Sequence, residues 1–152
     1  MKLATKCLLL SLMTILLGAC AAPVRHETAS GRPEVTIRGK VGNQVQAEIA
    51  NLMLNRRYSV KSSSPNILVF EKPFDNAMAS VLFASQYDVT PYARITYNVF
   101  EIGDSTRIVA SFAAITNPGS AFERVTPLDN NPDTLWYQTK LNEIKQRIEA
   151  GK

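Results

Sequence analysis

Histidine, cysteine and tryptophan are almost missing from this 152-residue chain: it has one histidine, His26, one tryptophan, Trp136, and two cysteines, Cys7 and Cys20. No thiol lies beyond Cys20, so the body of the chain can form no disulfide and must be held by packing. The same scarcity weighs against two kinds of chemistry. A nucleophilic serine or cysteine wants a base, usually histidine, within hydrogen-bond reach, and zinc wants histidine and thiolate ligands. A strong charge of one sign is missing as well. The whole chain carries +4, and with Lys2 and Lys6 set aside 15 basic residues face 13 acidic ones. Arg56-Arg57 is the only adjacent pair of bases, which leaves no electrostatic footprint for nucleic acid. Nor is there an apolar run long enough to cross a bilayer: residues 7–17 are uncharged for 11 positions, where about 20 are needed.

That short run has another use. Lys2 and Lys6 precede it, an 11-residue apolar centre fits the ~7–15 of a secretion signal, and small residues close it. The closing tetrapeptide, Leu17-Gly18-Ala19-Cys20, resembles the lipobox of bacterial lipoproteins, in which signal peptidase cuts before the cysteine and the new N-terminal cysteine carries the lipid. A plain secretion signal would also accept Ala19; a cysteine directly after Leu-Gly-Ala favours the lipoprotein. The resemblance covers residues 1–20 only. It implies a signal peptide over 1–19, a lipid thioether on Cys20, attachment to a membrane through that lipid, and 133 remaining residues. Ala21 is not the aspartate that keeps such proteins in the inner membrane of enteric-type bacteria, so the implied address is the periplasmic face of the outer membrane.

Residues 20–32 lack an apolar period and are rich in small and polar side chains, which predicts a flexible tether with His26 solvated. Residues 33–152 then read as a single domain. Val35 and Ile37 alternate with polar neighbours in a strand over 33–38, and Val45, Ile49, Leu52 and Met53 share a helical stripe over about 43–56. Tyr58 and Val60 begin a strand, residues 62–66 (SSSPN) a turn, and residues 67–70 its return. Asp75 suits an N-cap for a short helix carrying Met78, Val81 and Leu82. The strongest β signal follows: Ala93, Ile95, Tyr97 and Val99 oppose Arg94, Thr96, Asn98 and Phe100, and Gly103-Asp104-Ser105 turns into a strand over 107–115. Residues 116–130 show no period. Asn131 and Pro132 then read as N-cap and first residue of a helix carrying Tyr137, Leu141, Ile144 and Ile148. The order β-α-β-β-α-β-β-α suits an α+β domain, an antiparallel sheet of about five strands with helices packed on one face.

Candidate sites are few. Glu48, Glu71, Asp88, Glu101 and Glu123 could pair for hydrolysis, but scattered carboxylates are usually surface charges. Asp129, Asn131 and Asp133 imitate a calcium loop, yet Thr134 replaces its glycine and Lys140 its closing glutamate. Arg56 and Arg57 complement a helix C-terminus. Tyr58, Tyr97, Phe100, Phe112 and Tyr137 fall on element faces where packing is expected. Phe122, in the aperiodic stretch, and Trp136, one residue off its helical stripe, are the aromatics left for a partner surface. The expectation is a non-enzymatic, lipid-anchored envelope protein, without cofactor or metal, that binds another envelope protein as an assembly or accessory subunit. A module for a small apolar or cell-wall ligand held between sheet and helices is the alternative, and a two-carboxylate hydrolase is third.

Overall fold

The computed structural model describes residues 23–74 and 90–151; the lipobox with Cys20, Asp88 and the short helix expected behind Asp75 lie outside them. The described elements are β1 (Glu34–Arg38), α1 (Gly42–Asn55), β2 (Ser59–Ser64), β3 (Ile67–Pro73), β4 (Tyr92–Ile102), β5 (Ser105–Thr116), β6 (Arg124–Pro127) and α2 (Thr134–Ala150). The strands form one antiparallel sheet in the order β1-β5-β4-β3-β2, and β6 joins the distal half of β5. The architecture is mixed α+β, mostly sheet.

The long β4–β5 hairpin is the spine of the sheet, with Tyr92 opposite Ile115 and Ile102 opposite Ser105. Gly103 sits in its turn at φ +58, a conformation that glycine adopts without a Cβ clash. Cross-strand partners sort the side chains. Val35 faces Ile108, Ile108 faces Val99, Ala110 faces Tyr97, Tyr97 faces Leu68, and Phe112, Ile95 and Phe70 line up across three strands. All these are buried in one cluster, which also takes Val45, Ile49 and Met53 from α1 and Tyr137, Leu141, Ile144 and Ile148 from α2. The helical and strand periods read from the sequence therefore meet in a single core.

Six strands replace the five expected. β6 was hidden because all four of its residues are exposed, so no alternation marks it. The aperiodic stretch 116–130 is instead the end of β5, a turn over 117–123 and β6, ending at Pro127 where an edge strand tolerates proline. β2 is also longer than expected: Ser62, Ser63 and Ser64 pair with Val69, Leu68 and Ile67, leaving Pro65 and Asn66 as the turn. A bulge at Lys61 shifts its register. Serines, a lysine and a bulge are what make an exposed edge a poor template for other chains.

The opposite edge is handled by a helix. The side-chain amide of Gln138 accepts a hydrogen bond from the Glu34 backbone N–H at 2.8 Å and donates one to the Glu34 carbonyl at 3.0 Å. Further along, Lys145 donates to the Thr36 carbonyl and Glu149 accepts from the Arg38 N–H. Steps of two along β1 advance about 6–7 Å each, and 11 helical residues about 16 Å, so one face of α2 keeps pace with the edge strand. The Arg38 N–H, followed by nearby cations, holds the Glu149 carboxyl below the usual carboxylate range.

The start of α2 refines another expectation. Asn131 Oδ1 accepts from the Asp133 N–H at 2.9 Å, and the Thr134, Leu135 and Trp136 N–H groups bond three residues back. Asn131 thus holds a tight turn ahead of the helix, and the N-cap is Asp133 rather than the expected Asn131, because regular helix begins only at Thr134.

Candidate functional site

Beyond the end of the core the cluster opens into a recess of about 440 Å³. Its walls come from four places. Arg56 and Tyr58 follow α1; Lys72, Pro73 and Phe74 close β3; Ala93 and Phe112 come from β4 and β5; Leu128, Asn131, Asp133, Thr134, Trp136 and Tyr137 lead into α2. The volume lies within the ~300–1,000 Å³ typical of small-molecule pockets.

The aromatic wall is locked from behind. Tyr58 and Tyr137 hydroxyls hydrogen-bond at 3.1 Å, Phe112 lies 4.6 Å from Tyr137 between ring centroids, and Trp136 meets Tyr137 edge-on at 4.8 Å. Burial, and then the bond to Tyr58, pushes the Tyr137 phenol well above its ordinary range, so it stays neutral and serves as a wall. The Arg56 guanidinium lies over the Trp136 ring, 3.9 Å from its centroid, and the Lys72 ammonium lies 5.6 Å from the Tyr58 ring. Both are cation–π distances.

Trp136 was singled out for being off the helical stripe, and that is why it reaches the recess while Tyr137, on the stripe, turns to the core. It is half-buried. Phe122 is elsewhere: it is 76% exposed in the turn before β6 and does not line the recess. Of the two aromatics expected on a partner surface, the recess thus takes Trp136 and not Phe122. Arg56 was read as a helix-dipole cation; it stands at the C-cap of α1 and covers an indole as well. Nothing in its sequence surroundings distinguishes the two roles, because Trp136 is 80 residues away.

His26, expected to be solvated, is only 8% exposed, and its Nε2 lies 2.8 Å from the Thr134 hydroxyl. Thr134 already donates to the Asn131 carbonyl at 2.6 Å, so His26 is the donor and carries its proton on Nε2. Desolvation lowers the His26 pKa, against a smaller opposing pull from Asp129. The Val24 N–H bonds the Asn130 carbonyl at 3.1 Å, and Arg32 pairs with Asp129 at 3.1 Å. Residues 24–32 are therefore fastened to the segment leading into α2. Asp129 also accepts the Phe112 N–H at 2.8 Å, so the first residue of the calcium-loop imitation is engaged in holding β5 and the N-terminal segment.

On the outer face of the sheet Glu71, expected among the surface carboxylates, is 8% exposed. Arg94, its cross-strand partner, binds it at 2.5 Å and binds Glu123 at 2.8 Å, while Lys61 approaches Glu71 at 3.4 Å. The Gly119 N–H, then Arg94, hold the Glu123 carboxyl below its usual range. One guanidinium thus clips the 117–123 turn onto β3 and β4. A scan against protein-family models finds none that matches this chain, and a search of curated proteins finds no match either.

Proposed function

We propose that the chain is a lipid-anchored protein of the bacterial cell envelope, held at the periplasmic face of the outer membrane through Cys20, whose domain binds a small apolar ligand. In this reading both helices cover one face of the sheet, and the ligand enters the recess between that face and the helix ends. The observation that carries it is the recess itself, about 440 Å³ bounded by Tyr58, Phe74, Phe112, Trp136 and Tyr137. Aromatic walls with a few polar groups at the rim are the usual composition of ligand pockets. The role is non-enzymatic: the recess brings one carboxylate, Asp133, and the phenols of Tyr58 and Tyr137, without an acid–base pair.

Trp136 is the only tryptophan, so its emission reports on the recess directly. Titrating the full chain with 1-octanol should shift that emission saturably, and Ala93→Phe, which places a ring against the same wall, should abolish the response. An unsaturable drift, or a response untouched by Ala93→Phe, refutes the reading. A second reading, docking of another envelope protein, is favoured by Phe122 and Val125, 76% and 56% exposed beside the edge strand β6. Aromatic anchors of this kind are common interface hot spots.

A further inference from the structure

The recess has aromatic walls, and one of the cations that line it, Arg56, has no acid to satisfy it among the described residues. Arg56 makes no salt bridge and its guanidinium no hydrogen bond among the described residues; the guanidinium lies on the face of Trp136. Lys72 stands across from it over Tyr58. Arg94 and Asp133 line the recess as well, and neither pairs with Arg56. Arg94 is taken by Glu71 and Glu123, and Asp133 sits at the N-terminus of α2, where the helix dipole favours a negative charge.

Resting on the ligand-binding reading, we propose that the recess takes an amphiphile with a single apolar body and an anionic head, carboxylate or phosphate, and that Arg56 receives the head while Tyr58, Phe112, Trp136 and Tyr137 hold the body. The chemistry of the donors fits. A guanidinium presents a planar fork of N–H groups that matches a carboxylate or phosphate in two parallel bonds. Packing against the indole restrains that fork without consuming its donors, so little ordering remains when the head arrives. A neutral apolar compound would leave the Arg56 cation without a partner, and a cationic one would be repelled by it.

Three probes of equal chain length decide the matter: octanoate, 1-octanol and octylammonium, titrated against the full chain in phosphatidylcholine vesicles and read by Trp136 emission. Octanoate should bind at least about tenfold more tightly than octanol, as a charge-assisted bond implies, and octylammonium should bind weakest. With both ligands measured on the same variant, Arg56→Gln should bring octanoate down to the affinity of octanol, and Arg56→Lys should keep part of the preference. Equal binding of octanoate and octanol, or tightest binding of octylammonium, overturns the anionic head and leaves the ligand-binding reading standing. No saturable response to any probe overturns both. Because the wild-type comparison needs no variant, a poorly folding Arg56→Gln protein does not rescue the proposal. Vesicles containing phosphatidylglycerol separate two sources: competition with octanoate assigns the head to a membrane lipid, and its absence assigns it to a free acid.

Discussion

Gln138 offers the sharpest test of how α2 is held to the sheet. Its amide closes both backbone groups of Glu34 on an edge strand, at 2.8 and 3.0 Å, and also donates to Asn142 at 3.1 Å. A neutral hydrogen bond contributes about 1 kcal/mol net, and the Glu34 groups are only partly buried, so losing both should cost about 1–2 kcal/mol. Gln138→Ala is therefore expected to lower the thermal midpoint by about 3–6 °C for each kcal/mol lost, for a domain between the small and large size classes. Gln138→Glu keeps the acceptor for the Glu34 N–H but turns a second oxygen toward the Glu34 carbonyl, and should be no better than alanine. Asn142→Ala removes only the exposed bond and serves as the control. Urea unfolding gives the stabilities, and hydrogen exchange at the Glu34 amide reads the local opening. An unchanged exchange rate at Glu34, with Gln138→Ala as stable as the wild type, would show that the edge needs no cover.

Three other outcomes follow from the described contacts. The lowered pKa of His26 means that the unfolded chain binds its proton more readily: stability is full above about pH 6.5 and falls as pH drops through that value, levelling off below the folded-state pKa. As the chain has no other histidine, His26→Gln should flatten urea midpoints measured from pH 8 to 5, and an unaltered slope would refute the assignment. Arg94→Leu leaves Glu71 buried without its main partner and should cost about 2–4 kcal/mol, whereas the Arg94→Leu, Glu71→Leu pair should recover most of it; equal losses in both would show that the pair is not coupled. Cys20→Ser should abolish incorporation of labelled palmitate, and label retained on the variant would exclude lipidation at that position.

What could be read from the sequence was whatever repeats with a period. Ile95, Tyr97 and Val99 against Ile108, Ala110 and Phe112, or Leu141, Ile144 and Ile148 on one stripe, announce themselves because one face is buried and the other is not. β6 and much of β2 bury nothing and give no such signal. The recess was half legible. Trp136 stood out by breaking its helical period, but Arg56, Tyr58 and Lys72 acquire meaning only when segments 80 residues apart are brought together. His26 was misread for the same reason: a histidine among small polar residues looks solvated until Thr134, 108 residues on, is placed beside it.

The fastening of residues 24–32 changes what a lipid on Cys20 would do. A free tether over 20–32 could extend about 45 Å, more than the ~35 Å diameter of a domain of this size, and would let any face approach the membrane. With Val24 bonded to Asn130, only three residues separate the anchor from a fixed point, and the four steps from Cys20 to Val24 reach at most about 14 Å. That fixed point adjoins Asn131 and Thr134, which line the recess. Lipidation at Cys20 would therefore orient the domain as well as retain it, with the aromatic recess at the membrane-proximal end. Falling pH works against that docking, because burial of His26 disfavours its protonated form. If Cys20 carries a lipid, an anionic amphiphile leaving the bilayer would meet Arg56 and the aromatic wall within a few nanometres of that anchor.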